Sequence, residues 1–199
     1  MYDYDLFVSY RREGPGKKRL STPWLRQVVP RIEHYLSMEL PDREPRIFFD
    51  VESLEVGDRW PQSIRDALLR SKCLMPIWTP PYFRSQWCMA EWKSFLAREE
   101  TVKNEAGHKC RLILPIAAQD GIHYPPEAQD TQQFDLRDYY ATTKAFWRTP
   151  RADQLDQEIG RLAHKIAKAI QEAPEYREGW PITTPPPMPA TRGMEMLRL

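Results

Sequence analysis

Short apolar segments alternate along this chain with longer segments whose apolar residues recur at helical spacing. This alternation is the feature that most constrains the fold. The apolar segments predict buried strands because they are short, rich in β-branched and aromatic residues, and bounded by polar loops. We predict five strands, at about residues 4–9, 46–50, 72–78, 111–117 and 134–140. Strands that alternate with helices favour an α/β sandwich with a mostly parallel sheet.

The helical segments carry recognisable start signals and apolar stripes. Thr22 and Pro23 suit an N-cap and a first helical position, and Pro30 is expected to kink that helix or split it in two. A second helix is predicted to begin near Trp60. Ser85 is the expected N-cap of a third, over residues 85–100. The clearest helix has an apolar stripe at helical spacing, formed by Leu155, Ile159, Leu162, Ile166 and Ile170.

Composition limits the classes of protein to which this chain can belong. The 199 residues suit one domain with a tail, and a formal net charge of +1 predicts neither a nucleic-acid partner nor an anionic membrane. Three cysteines without C-x-x-C spacing predict reduced thiols in a cytoplasmic protein. From about Pro174 the chain becomes proline-rich, which predicts an extended segment. We therefore expect a domain at residues 1–173 and a tail or linker at residues 174–199.

Several common catalytic and binding motifs are absent from the sequence. It contains no phosphate-loop motif, no G-x-G-x-x-G and no G-x-S-x-G. The four histidines lack metal-ligand spacing, so no metal site is predicted. Cys88 near a helix N-terminus could pair with a histidine, although a small core residue is the favoured interpretation.

One acidic residue lies in unusually apolar surroundings. The segment FRSQWCMAEW places Glu91 one helical turn after Trp87, so both lie on one face. A surface glutamate paired with Lys93, Arg98 or an arginine elsewhere in the chain is the plain alternative. In doubly wound sheets, ligands bind beyond the carboxyl ends of the strands, which directs attention to the residues that follow each strand.

The order of these segments resembles the TIR (Toll/interleukin-1 receptor) domain family over about residues 2–172. The opening YDLFVSYRR is similar to the first box of that family. The second strand ends at Asp50, and the later pattern Y-F-R-S-x-W-C-x-x-E is also similar to the family. The resemblance implies a flavodoxin-like three-layer sandwich with a five-stranded, mostly parallel sheet. Within the family, the chain resembles the bacterial-type, NAD-cleaving members.

The resemblance also implies a site. In catalytic members the glutamate of W-x-x-x-E is the catalytic residue, which corresponds here to Glu91 after Trp87. NAD is then the substrate, and no resident cofactor is expected. We expect aromatic rings to stack on the substrate and Arg11 with Arg12 to meet its pyrophosphate. The predicted substrate-binding set is Trp87, Ser9, Tyr10, Arg11, Asp50, Phe83 and Ser85.

The implied function is NAD glycohydrolase activity that appears when TIR domains self-associate. Nicotinamide would leave, giving ADP-ribose, a cyclic isomer or a conjugate, in a setting such as prokaryotic immunity against phage. The loop at residues 51–60 is expected to close the site against a neighbouring copy, and the tail could join a sensor domain. A non-catalytic adaptor that acts by TIR–TIR contact is the alternative, and a nucleoside ribosyltransferase is a weaker one.

Overall fold

The described part of the chain forms a five-stranded sheet in which every neighbouring pair of strands is parallel. A computed structural model describes residues 1–11, 21–49, 62–107, 110–141 and 143–185. The strands are β1 (Tyr4–Ser9), β2 (Ile47–Phe48), β3 (Ser71–Trp78), β4 (Ile116–Ala117) and β5 (Phe134–Asp135). Their order is β2-β1-β3-β4-β5, with all ladders parallel. This is the flavodoxin-like order, so the predicted fold class is confirmed.

Helices connect the strands on both faces of the sheet. They are α1 (Ser21–Glu39), α2 (Gln62–Leu69), α3 (Pro80–Phe83), α4 (Gln86–Ala106), α5 (Pro126–Gln129) and α6 (Pro150–Glu172). The connection from β1 to β2 moves toward one edge of the sheet, whereas the connections after β2 move toward the opposite edge. Because parallel crossovers are right-handed, α1 covers one face while α2 and α4 cover the other. The reversal places the topological switch point between the carboxyl ends of β1 and β3.

The helix α6 closes one face of the sheet by packing against α1. All five members of its predicted apolar stripe are buried, with at most 3% of any side chain exposed. Tyr35 of α1 donates a hydrogen bond to Asp156 of α6 (Oη to Oδ2, 2.5 Å). The 3.6-residue periodicity therefore predicted the buried face of this helix correctly.

Of the two outcomes predicted at Pro30, a kink or a split, the split does not occur, because one α-helix runs from Ser21 to Glu39. Proline removes one backbone donor and leaves the carbonyl four residues earlier, that of Arg26, without its usual partner. Both residues are exposed, so water can satisfy that carbonyl. The opposite face of α1 is buried, and its packing holds the two halves together through Trp24, Leu25, Val28, Val29, Ile32 and Leu36.

The fourth and fifth strands are shorter than predicted. Leu114 N donates to Leu74 O (2.9 Å), but the next residue of β3 that faces β4, Pro76, has no N–H to donate back to Leu114. Regular pairing resumes only at Ile116, opposite Ile77. After β5 the chain turns into a short 3₁₀ helix, Arg137–Tyr139, where the sequence had predicted more strand.

A buried carboxylate, Asp5, ties together the amino-terminal edge of the sheet. Arg43 donates to both of its oxygens, Lys72 lies 3.4 Å from Oδ1, and the backbone N–H of Arg46 donates to Oδ2 at 3.0 Å. Burial raises the pKa of Asp5, but the hydrogen bonds from Arg43 and Arg46 and the two positive charges outweigh it, and the pKa lies below its usual value. Among the described helices, none is long and apolar enough to cross a membrane.

Replacing Asp5 with Asn should lower the free energy of unfolding by about 1.5–3 kcal/mol, because charge-assisted hydrogen bonds are lost. Since its pKa is lower in the folded state, the contribution of Asp5 is present above the unfolded pKa. It is lost as pH falls through the folded value. The matched control is Asp3→Asn, which breaks only the exposed pair with Arg70 and should cost under about 1 kcal/mol. Urea titrations from pH 7 to pH 3 measure both, and equal costs at pH 7 would contradict the expectation.

Candidate active site

A buried hydrogen bond joins the carboxyl end of β1 to the helix α4. Ser9 is the last residue of β1, and its Oγ donates to Glu91 Oε2 at 2.6 Å. Only 1% of Ser9 and 8% of Glu91 is exposed. The bond therefore fixes a carboxylate beside the topological switch point of the sheet, where doubly wound folds bind ligands.

A tyrosine that the sequence analysis did not single out extends this network. Tyr82 Oη lies 2.9 Å from Ser9 Oγ and 3.1 Å from the carbonyl oxygen of Cys88. Because the single hydroxyl proton of Ser9 goes to Glu91, the single proton of Tyr82 is shared between Ser9 Oγ and the carbonyl oxygen of Cys88, which can only accept. Burial, with smaller contributions from Cys88 and Glu91, raises the pKa of Tyr82 well above its usual value. Tyr82 therefore keeps its proton, and the donors run in the order Tyr82, Ser9, Glu91.

Two helix starts hold these side chains in place. Thr79 caps the short helix α3 and accepts from the backbone N–H of Tyr82 at 3.3 Å, and prolines occupy the next two positions. Ser85 caps α4, accepting from the backbone N–H of Cys88 at 3.4 Å, as predicted. The signal Thr-Pro-Pro could have predicted α3 and with it the placement of Tyr82.

The basic residue that follows β1 contacts the beginning of α4. Arg11 Nη1 donates to Ser85 Oγ at 3.2 Å, and the Arg11 side chain is otherwise exposed. Tyr10 is buried, with its ring centroid 5.5 Å from that of Phe49. Asp50 and Arg12 lie outside the described residues.

Two of the three aromatic residues expected to stack on the substrate, Trp87 and Phe83, occupy different environments. Trp87 is half-buried, one helical turn before Glu91. Phe83 joins an aromatic cluster, with its ring 4.8 Å from Tyr124 and 5.5 Å from Trp78. It also lines an apolar groove of about 330 Å³, together with Pro80, Arg84, Met89, Tyr124 and Pro125. The substrate-binding roles of these residues stay predictions.

Among the described residues, neither a reactive cysteine nor a cluster of metal ligands offers an alternative reactive site. Cys88 is 4% exposed and belongs to the hydrophobic core, as does Trp92. No group of three or more potential metal ligands occurs in the described ranges. The buried carboxylate at the switch point is therefore the strongest candidate for a reactive group.

The sequence profile of one family, the TIR domain, matches residues 7–149. The chain belongs to the TIR domain family. The match includes Ser9, Tyr82, Ser85 and Glu91, so every residue of the buried network lies within the TIR region.

Two solved structures are also similar to this TIR domain. One is the TIR domain of the Toll-related receptor TRR-2 from Hydra magnipapillata, with 19% identity and a TM-score of 0.36, covering 75% of this chain and 97% of that one. The other is the activated Roq1 resistosome recognizing the pathogen effector XopQ (TIR domains), with 17% identity and a TM-score of 0.34, covering 83% and 84%. No curated protein gives a significant match. Both TM-scores are below 0.5, so the family assignment rests on the sequence profile.

Replacing Ser85 with Ala should lower the free energy of unfolding by about 1 kcal/mol, because the first turn of α4 loses its cap. The control is Thr101→Ala in the same helix, where Oγ1 donates to the carbonyl of Ala97, and its cost should stay within about 0.5 kcal/mol. Chemical denaturation measures both. Equal effects of the two changes would show that Ser85 does not stabilise the start of α4.

Proposed function

We propose that this TIR domain is an NAD glycohydrolase with Glu91 as its catalytic residue. The observation that carries the proposal is the Glu91 carboxylate, 8% exposed and held by Ser9 at the switch point of the sheet. A buried carboxylate in apolar surroundings interacts more strongly with a nearby positive charge than one in water does. The network orients it before any substrate arrives, which is the condition for electrostatic catalysis.

The proposed step breaks the bond between the anomeric carbon of the ribose and the nitrogen of nicotinamide. The bonding electron pair goes to the pyridinium nitrogen, so nicotinamide leaves neutral and needs no strong general acid. Positive charge develops on the ribose, and Glu91 stabilises that charge from its fixed position. Water then bonds to the anomeric carbon and releases one proton, giving ADP-ribose. A hydroxyl or ring nitrogen of the same molecule, attacking in place of water, gives a cyclic isomer.

The remaining predicted residues are assigned to substrate binding. Trp87 and Phe83 would offer flat surfaces to the nicotinamide or adenine rings. Arg11 donates one N–H to Ser85 and has further N–H donors for a pyrophosphate oxygen. Tyr10 is buried, so it would support the binding residues from inside the protein. Asp50 would line the edge of the pocket.

The proposed setting is a cytoplasmic immune protein that acts when its TIR domains associate. A bacterial origin and a role against phage extend the proposal, and both derive from the sequence resemblance. Self-association would bring a neighbouring copy to the site, and the tail would connect to a sensor domain or protein. The competing function is a TIR–TIR adaptor that does not cleave NAD. Such an adaptor would self-associate equally well if Glu91 were replaced.

Glu91→Gln should reduce nicotinamide release by at least about 10²–10³-fold, because a neutral amide cannot stabilise the developing positive charge. The measurement is chromatography of nicotinamide and ADP-ribose after incubation of concentrated protein with NAD. Glu100→Gln is the matched control, since Glu100 is an exposed glutamate on the same helix. It should leave the rate within about twofold.

Two results would oppose the proposal. Equal release by wild type and Glu91→Gln would remove Glu91 from the mechanism. No release by wild type, together with measured self-association of the TIR domain, would favour the adaptor.

Ser9→Ala should lower kcat by roughly 10–150-fold, the equivalent of about 1.5–3 kcal/mol for a hydrogen bond to a charged group. Tyr82→Phe should lower kcat by no more than about tenfold, because Tyr82 donates to a neutral hydroxyl. Steady-state kinetics on NAD check the order of the two effects. A larger loss in Tyr82→Phe than in Ser9→Ala would contradict the proposed direction of the network.

A further inference from the structure

The chain that follows α6 returns to α4 as a strap, formed by residues 176–183. Arg177 forms an ion pair with Glu105, next to the last residue of α4. The backbone N–H of Thr183 donates to Ser94 Oγ, in the middle of the same helix, at 2.8 Å. The strap therefore runs antiparallel to α4, from its last turn to its middle.

A tryptophan at the centre of the strap makes a buried contact with α4. Gly179 has a φ of +83°, which glycine adopts without strain, and turns the chain just before Trp180. Only 4% of Trp180 is exposed. The Arg98 guanidinium of α4 lies 5.0 Å from the centroid of its ring, and that of Arg177 lies 4.8 Å from it. The burial of so large an aromatic side chain, with two cations against it, fastens the strap to α4.

Arg98 joins the strap to a second helix. It is fully buried and donates to the carbonyl oxygens of Ser71 (2.7 Å) and Leu68 (3.3 Å). Leu68 lies in the last turn of α2, so the guanidinium meets the negative end of that helix. The Trp180 ring packs against the same guanidinium. The strap and α2 therefore hold α4 at one residue, two turns after Glu91.

Ser94 brings the strap within one helical turn of Glu91. Its Oγ accepts from the backbone N–H of Thr183 and donates to the carbonyl oxygen of Ala90 at 2.7 Å. That carbonyl belongs to the peptide bond that leads into Glu91. Glu91, Ser94 and Arg98 are separated by three and four residues, so all three lie on one face of α4. The strap therefore contacts the face of the helix that carries the carboxylate.

We infer that the strap is a positioning element for Glu91. While the strap is docked, it holds the turn of α4 that carries Glu91 beside Ser9 at the end of β1. When the strap leaves, that turn opens more often. Because the strap pairs with no strand in the described part of the sheet, it can leave α4 without breaking a ladder.

The consequence for catalysis rests on the proposed NAD glycohydrolase activity, whereas the coupling between the strap and the Glu91 turn does not. Misplacing a catalytic group by about 1 Å can cost about 100-fold in rate. Release of the strap should therefore lower kcat. KM for NAD should change little, because Arg11 and Phe83 of the predicted binding set lie outside α4.

Hydrogen–deuterium exchange of the full chain, followed by mass spectrometry, tests the coupling without any substrate. Trp180→Ala removes the buried ring, and Thr183→Pro removes the N–H that bonds to Ser94. Both changes should speed exchange at residues 88–94 by at least about fivefold, because local opening of that turn becomes more frequent. Exchange at residues 155–166 of α6, the internal reference, should stay unchanged.

Thr184→Pro is the matched control, because Thr184 is exposed and Thr183 keeps its N–H in this variant. It should change exchange in neither segment. Faster exchange confined to residues 88–94 in both strap variants supports the coupling. Unchanged exchange there in either strap variant overturns it, and so does equal acceleration in α6 or in the control, since that would report a general loss of stability. If Trp180→Ala fails to fold, Thr183→Pro decides alone.

Steady-state kinetics on NAD test the consequence separately. Trp180→Ala should lower kcat by roughly 10–100-fold, with KM within about twofold of wild type. Because the strap acts by holding Glu91 beside Ser9, the same change made in Ser9→Ala protein should lower kcat by less than about threefold. Equal fold-losses in the two backgrounds, or an unchanged kcat in the first, overturn the positioning role. If wild type releases no nicotinamide, the proposed function fails, and the exchange result still decides the coupling.

Discussion

The hydrogen bond from Ser9 to Glu91 joins the first strand to a helix 82 residues later in the chain, and the candidate site depends on it. A carboxylate with 8% exposure is tolerated only with strong partners. The parallel sheet supplies one, because it brings the end of β1 beside the start of the connection that follows β3. Tyr82 then donates to Ser9, so the Ser9 hydroxyl has both its donor and its acceptor roles filled. The arrangement leaves Glu91 little freedom to turn away.

The fold could be predicted from the sequence wherever local patterns decide the structure. The apolar stripe of α6 and the Ser85 cap of α4 are local signals, and both agree with the structure. The split predicted at Pro30 does not occur, because a proline removes one backbone hydrogen bond whereas the buried face of α1 packs several side chains that hold the helix together. The fourth strand is shorter than predicted because Pro76 of β3 has no N–H for the ladder to β4, a long-range pairing that an apolar pattern alone does not reveal.

The candidate site was predictable only in part, since its contacts are long-range. The pattern W-x-x-x-E singled out Glu91, and the resemblance to the first box of the TIR family singled out Ser9 as a pocket residue. Nothing in a local pattern pairs Ser9 with Tyr82, which are 73 residues apart, so no local signal placed Tyr82 in the site. Phe83 and Trp87 were both predicted to stack on the substrate, and the structure places Phe83 in an aromatic cluster with Trp78 and Tyr124. Composition identifies candidate aromatic rings without determining where each ring lies.

The helix α4 is held along its length, which bears on how Glu91 could act. Arg98 is fully buried and, among the described residues, makes no ion pair; it donates instead to the carbonyls of Ser71 (2.7 Å) and Leu68 (3.3 Å). Burial lowers the pKa of Arg98 to about 10, a sign of how strongly its charge is desolvated. These bonds lock the middle of α4 to the junction of α2 and β3, while Ser85 fixes its start. A carboxylate on such a helix is preorganised by the scaffold. Folding therefore aligns Glu91, and the reaction itself requires no further free energy for that alignment.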